Sequence, residues 1–367
     1  MNEGQKFRQP IIPLQQTILW QNLQNDLKET TFFLSENTHT TESRSSHHQD
    51  IKKAKKNPST TSSAEINYQM LIIKKSTILG PYFYLPYGPY LGQKDSARKA
   101  YAALQSLAKR EHVIFTRIEP QNAHMASYWL RKAKKTKDLS PKETWVLDLS
   151  LTEEEIFKGM KQNTRNLAKN YSKKGIIVEK AAKTPENAQI LYHFLRTVAR
   201  SHHFSPIEEA TFQAELNQPF SSLFIAYLKQ DLSTPNSQKS QNSEKNPKKS
   251  QKIPIAASLF FDGPETRYYM QSGTDQNFRH LPGTLAILSE AIKDAKTQNL
   301  KFFDFWGIAP ENANKNHPWY GFTKFKKSFG GQEVDYAGTY DLVENPLKYR
   351  LYSLLRKLNR LKRKIFS

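Results

Sequence analysis

Two long polar stretches interrupt this chain, and they limit more than any other feature how it can fold. Residues 37–64 and 231–252 consist mainly of Ser, Thr, Asn, Gln and Lys, with almost no large apolar side chains. Such segments cannot bury enough apolar surface to offset the entropy lost on ordering. We therefore expect both to be disordered insertions, so that the core is built from the residues around them.

Each polar stretch lies between two strand-like runs, which indicates that it interrupts a β-hairpin. Residues 31–34 and 68–73 flank the first stretch, and residues 223–228 and 255–261 flank the second. The four runs are rich in the aromatic and β-branched residues that strands favour. The sequence thus predicts two hairpins with long loops rather than domains joined by linkers.

The chain is strongly basic, with 55 Lys and Arg against 34 Asp and Glu and a net charge of +21. Each polar stretch carries +3 and residues 345–367 carry +8, so two thirds of the excess lies in these three segments. Residues 345–367 also place leucines at helical spacing, which predicts a basic amphipathic helix. Such a helix most often packs on the last domain with a solvated outer face. Contact with anionic lipid or RNA phosphates is the alternative.

Cysteine is absent from the sequence, which excludes disulfides, thiol nucleophiles and Cys-ligated metals. The N-terminus lacks an apolar stretch of signal-peptide length, and no segment approaches the roughly 20 apolar residues of a spanning helix. We therefore expect a cytoplasmic protein. His202 and His203 do not predict a metal site, since adjacent side chains point in different directions and no carboxylate pattern accompanies them.

The order of predicted elements occurs twice, which suggests an internal duplication. Each round has a hairpin, a third strand, a helix and a fourth strand, and a capping box at Thr152 and Glu155 opens a helix between the rounds. The third strand, helix and fourth strand are predicted at residues 82–86, 96–111 and 113–118, and again at 267–271, 283–297 and 302–306. Two mixed α/β units account for this order.

A series of short blocks runs from residue 148 to residue 346. They read DLS at 148–150, KQNTRN at 161–166, KKGIIV at 173–178, YYMQSG at 268–273, DFWGIAP at 304–310, GFTKFKKSFGG at 321–331, YDLV at 340–343 and NP at 345–346. In order and spacing, with Trp20 ahead of them, these blocks resemble the Fem family of peptidoglycan peptidyl-transferases. No single block is sufficient, but the set is specific.

The resemblance implies an α/β fold of two tandem GNAT-like (acyl-CoA N-acyltransferase) domains. With the element order, it predicts a first domain at 1–150, a second at 151–344 and a basic C-terminal helix at 345–367. It also implies an aminoacyltransferase that builds the peptidoglycan interpeptide bridge, with a role in cell-wall biogenesis and cell shape. The aminoacyl group would pass from tRNA to a stem-peptide amine. Aminoacyl-tRNA is then a co-substrate, and no other cofactor and no metal is expected.

Phe325 and Lys326 fall on the phenylalanine–lysine pair of the family's closing motif. The resemblance implies that this lysine stabilises the negative charge on the ester carbonyl as the amine attacks. Because an aminoacyl ester is already activated, the chemistry needs little beyond a positioned, unprotonated amine and an electrostatic partner for the oxyanion. By spacing alone, Lys326 would be a solvated lysine in a basic run and Phe325 a core residue. The resemblance makes both catalytic candidates.

Basic residues supply the first candidates for substrate binding. Lys161 and Arg165 begin a series at intervals of four that Lys169 and Lys173 continue. On a helix the four side chains form one stripe, rising about 6 Å per step, along which phosphates can lie. A solvated helix face is the ordinary alternative, and the resemblance singles out Arg165. Arg200 falls where the family often has an arginine at a helix end, which implies a contact with pyrophosphate or precursor.

Aromatic residues on two predicted strands supply the other candidates. Tyr268 and Tyr269 lie beside the expected cleft, and because strand side chains alternate between faces, only one of them can point into it. Asp304 and Trp306 lie at a strand end, where a GNAT-type sheet opens toward its substrate, so Trp306 is a candidate cleft wall. A sheet-core role for the tyrosines and a capping role for the other two are the alternatives.

Two departures from the family pattern bear on the acceptor. Members that use the soluble nucleotide precursor tend to have a lysine soon after the early tryptophan, whereas the first lysine after Trp20 is Lys28. The family's Pro-Arg-Gly-Pro reads PYGP at 86–89. The missing early lysine and the basic tail favour lipid II over UDP-MurNAc-pentapeptide as acceptor. Peripheral contact with the inner face of the plasma membrane is compatible with this choice and stays the alternative to a basic tail that only packs on the protein.

Two other functions compete with this one. An acyl-CoA-dependent N-acyltransferase of the same fold would need a glycine-rich pyrophosphate-binding turn at a helix start, and the sequence contains none. A non-catalytic, basic RNA- or membrane-associated protein would explain the charge but not the ordered C-terminal blocks.

Overall fold

The computed structural model describes residues 12–37, 66–201, 205–230 and 251–365. The greater part of both polar stretches, and also His202 and His203, lie outside the described residues. The disorder predicted for the two stretches therefore stays a prediction.

The described chain alternates helices and strands in an α/β arrangement. The α-helices are α1 Ile18–Asp26, α2 Ser96–Arg110, α3 Ser127–Leu130, α4 Glu153–Gly159, α5 Gln162–Asn170, α6 Pro185–Ser201, α7 Glu209–Leu216, α8 Gly283–Thr297, α9 Tyr320–Lys327 and α10 Pro346–Ile365. The β-strands are β1 Thr30–Asn37, β2 Ile66–Thr77, β3 Gly80–Leu85, β4 Tyr90–Leu91, β5 Phe115–Ile118, β6 Lys134–Lys135, β7 Glu143–Asp148, β8 Ile176–Ala181, β9 Ser221–Gln230, β10 Gln251–Asp262, β11 Thr266–Thr274, β12 Phe302–Gly307, β13 Gln332–Asp335 and β14 Tyr340–Val343.

Both predicted hairpins are present. β1 pairs antiparallel with β2, from Thr30 opposite Lys74 onward, and β9 pairs antiparallel with β10, from Ser221 opposite Phe261 onward. The two polar stretches therefore join the paired strands of hairpins, as the sequence predicted. The predicted capping box also forms, because the Thr152 hydroxyl accepts from the Glu155 N–H while the Glu155 carboxylate accepts from the Thr152 N–H.

The repeated order of elements is a repeated topology. In the first round β1, β2 and β3 form an antiparallel meander, α2 follows, and β5 returns parallel to β3. In the second round β9, β10 and β11 form the meander, α8 follows, and β12 returns parallel to β11. A parallel pair needs a crossover connection, which the helix supplies in each round.

The chain divides into two compact units, one of residues 1–144 with 334–367 and one of residues 145–333. The first sheet has the order β1-β2-β3-β5-β14-β6, with β4 on β2, and the second has the order β13-β7-β12-β11-β10-β9-β8. In the first core α2 buries the predicted face, including Leu104, against residues such as Phe83. In the second core α8 packs against Phe260 and Phe303.

The C-terminal segment differs from the sequence-based division at 150 and 344. Residues 334–344 were expected to close the second domain, yet β14 pairs antiparallel with β5, with Tyr340 opposite Ile118 and Val343 opposite Phe115. These residues and α10 therefore belong to the first unit. No local pattern encodes this return, because it depends on pairing between strands more than 200 residues apart.

A buried ion pair fixes the returning strand. Arg117 on β5 is 2% exposed and Asp341 on β14 is 1% exposed, and they lie opposite each other in the sheet. The Arg117 Nε and Nη2 atoms donate to the two Asp341 carboxylate oxygens at 2.7 and 2.8 Å. The Tyr349 hydroxyl donates to the same carboxylate at 2.9 Å. A buried charge with a counter-charge is tolerated in a protein core, whereas a buried charge without one strongly destabilises the fold.

We predict that Asp341→Asn lowers the free energy of unfolding by about 3–5 kcal/mol, because it leaves the Arg117 guanidinium buried without its counter-charge. Asp335→Asn is the matched control, because Asp335 also pairs with a cation, Lys142, but has 59% of its side chain exposed. That change should cost about 1 kcal/mol or less. The measurement is urea unfolding followed by circular dichroism. Equal losses in the two variants would contradict a structural role for the buried pair.

Candidate functional site

The closing block of the second unit forms α9 and the turn after it. Phe329 is fully buried, packs on Phe305 at a ring distance of 5.3 Å, and meets the Phe325 ring edge-on at 5.4 Å. Phe325 is thus held against the core cluster and anchors α9. Lys326, about 100° further around the helix, is directed away from this anchor. Of the two residues predicted as catalytic, only Lys326 presents a reactive group.

A glycine pair ends this helix and ties it to β7. Gly330 and Gly331 have φ values of 80° and 91°, in the left-handed region. A Cβ on Gly331 would lie 2.4 Å from the Val146 carbonyl oxygen, so only glycine fits. The Trp145 indole N–H donates to the Gly330 carbonyl at 2.6 Å. The last residues of the block therefore fix where α9 stops, and with it the place of Lys326.

The adjoining strands β11 and β12 part close to this helix. Their parallel pairing runs from Thr266 opposite Phe302 to Tyr268 opposite Asp304, although both strands continue beyond. Trp306 then takes a left-handed conformation with φ 66°, which is uncommon for a residue other than glycine. The Asp304 carboxylate stabilises this bend by accepting the Trp306 N–H at 2.7 Å. The parted strands leave the end of β12 free to meet α9.

Lys326 occupies that position as a nearly buried cation. Lys326 is 8% exposed, and its Nζ donates a hydrogen bond to the Gly307 carbonyl oxygen at 2.7 Å. The ammonium also lies 4.9 Å from the centre of the Phe322 ring. Burial lowers the pKa of Lys326 to about 8, and the nearby Asp304 carboxylate opposes that shift. A shielded ammonium of this kind interacts more strongly with a developing negative charge than one in water.

The strand register separates the two candidate tyrosines. Tyr268 lies opposite Phe261 and Tyr269 opposite Phe260, so they point to opposite faces of the sheet. Tyr268 packs edge-on against Trp306 with ring centres 5.9 Å apart, and the role of Trp306 as a cleft wall stays a prediction. Tyr269 stacks on Phe260 in the core, and burial raises its pKa to about 12. Tyr268 is therefore the one on the side of Trp306.

A β-bulge adds an unexpected pair to the same face. Gln271 lies opposite Leu259, so the extra residue Met270 returns Gln271 to the face of Tyr268. The Gln271 amide donates to the carboxylate of Glu215, at the end of α7. Burial raises the pKa of Glu215 to about 7. Among the described residues, the buried Gln271 carbonyl oxygen has no hydrogen-bond partner.

Glu215 was missed by the sequence analysis. It lies in no block of the resemblance and is one of several acidic residues near a short helix. Gln271 lies within the YYMQSG block, but its face could be read only from the bulge. The contact between the strand and α7 is what identifies the pair, and such a contact has no local signal in the sequence.

The predicted basic stripe begins beside α9 but does not continue as expected. The Lys161 N–H donates to the Ser328 carbonyl at 2.9 Å, so the start of α5 adjoins the end of α9. Arg165 is half-buried, and its Nη1 donates to the Lys158 carbonyl at 3.2 Å. The α-helix ends at Asn170, and Lys173 lies in a tighter 3-10 turn. The prediction of a four-residue stripe on one helix is therefore wrong at both ends, because Lys161 is the N-cap residue before α5 and Lys173 lies beyond it.

Arg200 lies in the last turn of α6 with an exposed side chain. This helix covers β11 closely, because a Cβ on Gly273 would lie 2.4 Å from the Phe194 Cβ. Gly273 shares the face of Gln271 and Tyr268. Arg200 is thus carried by the helix on the same side of the sheet. Within the residues that the structure describes, no group of three or more His, Cys, Asp or Glu is placed to hold a metal ion.

Sequence comparison identifies relatives of part of the chain. Residues 224–357 match the FemAB family. Aminoacyltransferase FemA of Staphylococcus aureus (strain bovine RF122 / ET3-1) is 30% identical over 109 residues, which are 29% of this chain and 25% of that protein. FemA of strain MW2 is 29% identical over 106 residues, with the same two coverages. The match spans about a quarter of the length of these relatives. The resemblance to the Fem family is confirmed.

Structural comparison extends the likeness to nearly the whole chain. The crystal structure of FemX matches with a TM-score of 0.72 at 15% identity, over 94% of this chain and 95% of that chain. The predicted fold class, an α/β protein with two units of mixed sheet, is confirmed. Among the helices that the structure describes, none combines the length with the apolar composition of a membrane-spanning segment.

The buried ammonium predicts a pH-dependent stability difference between the wild type and Lys326→Met. The pKa of Lys326 is about 8 in the folded chain against an ordinary 10.5, so between these values the unfolded state binds more protons and stability rises with pH. Relative to the variant, the wild type should gain up to about 3 kcal/mol of unfolding free energy across this interval. Urea unfolding of both proteins at pH 7 and pH 10 measures the change. A pH-independent difference would exclude a depressed pKa.

Proposed function

We propose that this member of the Fem family is an aminoacyltransferase that moves an amino acid from aminoacyl-tRNA to the stem-peptide amine of a peptidoglycan precursor, building an interpeptide bridge. The observation that carries the proposal is the Lys326 ammonium, buried in the family's closing motif beside the parted strands β11 and β12. The names of the relatives, which describe aminoacyltransferases, support the class of reaction.

The reaction asks for stabilisation of one negative charge. The acceptor nitrogen attacks the carbonyl carbon of the aminoacyl ester, the carbonyl oxygen gains the charge, and collapse breaks the bond to the ribose oxygen of the tRNA. In the proposal Lys326 donates a hydrogen bond to that oxyanion. Its ammonium is already held by the Gly307 carbonyl at 2.7 Å, so little reorganisation is needed. Preorganised donors of this type contribute roughly 10²–10³ in kcat.

The attacking nitrogen must also lose a proton. Glu215 is suited to accept it, because burial raises the pKa of its carboxyl to about 7, close to working pH. Gln271, which binds Glu215, is at most about 10 Å along the strand from Tyr268 and shares its face. In the proposal Glu215 takes the proton from the nitrogen and returns one to the departing ribose oxygen.

We favour lipid II over UDP-MurNAc-pentapeptide as acceptor. The absence of a lysine soon after Trp20 and the eight basic residues in the C-terminal tail support this choice. The protein would then work in the cytoplasm, with peripheral contact at the inner face of the plasma membrane. Phosphates of the precursor or tRNA would meet Lys161, Arg165 and Arg200. Of these side chains, Lys161 and Arg200 are exposed and Arg165 is half-buried.

Transfer by purified protein is the direct test. The protein is incubated with a pool of charged tRNAs and with either lipid II or its UDP-linked precursor, and mass spectrometry of the acceptor identifies the amino acid added. We expect Lys326→Met to lower kcat by roughly 10²–10³. Lys327→Met is the matched control, because its ammonium pairs with Glu333 at 3.1 Å. Wild-type rates in Lys326→Met would refute the mechanism, and transfer only from acetyl-CoA would favour an acyl-CoA-dependent enzyme.

A bell-shaped pH dependence of kcat/KM should accompany transfer, rising near pH 7 as Glu215 ionises and falling near pH 8 as Lys326 loses its proton. Glu215→Gln should lower the rate and remove the rise near pH 7, since a neutral amide cannot accept the proton. Glu208→Gln, a change just before the same helix, is the control. If the rise near pH 7 persists in Glu215→Gln, ionisation of the acceptor amine rather than Glu215 is its cause.

A further inference from the structure

The C-terminal helix α10 packs on the first unit with its tyrosines. The Tyr349 hydroxyl bonds to Asp341 at 2.9 Å, and its ring meets Phe115 with centres 5.4 Å apart. Tyr352 lies 4.9 Å from the same Phe115 ring and 6.2 Å from the Tyr82 ring. The docked face of α10 is therefore aromatic, and it is anchored to the buried carboxylate on β14.

The leucines of α10 form a different face. Four of them are largely exposed: Leu347 at 77%, Leu351 at 45%, Leu354 at 54% and Leu358 at 46%. Their spacing of four, three and four residues places them in one row on roughly the opposite side of the helix from the tyrosines. We call this row the leucine stripe. The commoner arrangement, a packed helix with an exposed outer face, is therefore observed, but α10 packs on the first unit and its exposed face carries leucines.

Positive charges flank the leucine stripe on both sides. Lys348 and Arg350 are exposed and project to either side of it, and Lys357 is exposed further along the helix. Residues 345–367 contain eight basic residues and no acidic one. A row of leucines with cations on both sides is the pattern of a helix that lies in a membrane interface, with leucines in the acyl boundary and cations at lipid phosphates.

We propose that the outer face of α10 binds the surface of an anionic lipid membrane, with the leucine stripe inserted and the flanking Lys and Arg at the headgroups. The helix would lie along the surface over about 30 Å. The charge argues for this occupant against a second copy of the chain, since two such tails would repel each other. The leucine stripe argues against RNA, because contact with RNA phosphates would leave the leucine side chains exposed to water. This proposal rests on the proposed function, and it names the surface of the protein that would meet the membrane holding a lipid-linked acceptor.

The test uses the full-length protein and vesicles, without any transfer reaction. Binding is measured by co-sedimentation with vesicles of phosphatidylcholine alone and of phosphatidylcholine mixed with phosphatidylglycerol. We expect the wild type to bind the anionic vesicles at least roughly tenfold more tightly than the neutral ones. The triple variant Leu351→Ser, Leu354→Ser, Leu358→Ser should lose about tenfold or more of that binding. Lys348→Glu with Arg350→Glu should remove the preference for anionic lipid.

A matched control changes exposed leucines elsewhere. The double variant Leu139→Ser, Leu151→Ser changes two leucines that are 48% and 40% exposed but lie outside α10. Its vesicle binding should therefore stay at the wild-type level. Thermal unfolding of the stripe variant should match the wild type, because the tyrosine face keeps its contacts. Unchanged vesicle binding in the stripe variant overturns the proposal. A wild-type dimer that becomes a monomer in the stripe variant, measured by light scattering, also overturns it. So does a stripe variant that loses tRNA binding but keeps vesicle binding.

Failure of this proposal and failure of the proposed function give different results. If α10 does not bind lipid, transfer to the soluble UDP-linked precursor can still be measured and still depends on Lys326. If the chain transfers no amino acid, the vesicle binding and its dependence on the leucine stripe remain.

Discussion

The ion pair between Arg117 and Asp341 determines how the chain is organised. It joins strands β5 and β14, which are neighbours in the first sheet although 224 residues separate the two partners. Because both side chains are buried, neither charge can be accommodated without the other. The second unit, residues 145–333, is therefore an insertion between two parts of the first. The same carboxylate holds Tyr349, so the docking of α10 depends on this pair as well.

The candidate site collects the places where ordinary folding preferences are not met. A lysine is buried, a tryptophan takes a left-handed conformation, and parallel strands stop pairing before they end. Each of these costs stability, and the surroundings hold them through Asp304, Gly307 and the Gly330–Gly331 turn. Departures of this kind concentrate at functional sites, because a reactive arrangement needs geometry that folding alone would not select. Their grouping around Lys326 is one of the observations from which a functional site is proposed there.

Sequence patterns predicted the local elements well because periodicity and capping are local. The helix α8 has the bounds expected from the sequence, and the two hairpins pair as their apolar runs indicated. Alternation along β11 separated Tyr268 from Tyr269, but the bulge at Met270, which decides the face of Gln271, has no comparable signal. Lys326 was reached only through the family resemblance. Long-range facts were not accessible: the return of β14, the contact of Glu215, and which face of α10 docks.

The insertion of one unit into the other has a consequence during translation. Synthesis proceeds from the N-terminus, and domains generally fold as units while the chain emerges. Residues 145–333 are complete before β14 exists, so the second unit can fold while the first still lacks the strand between β5 and β6. The first unit can close only once β14, which follows the whole second unit in the chain, has been synthesised.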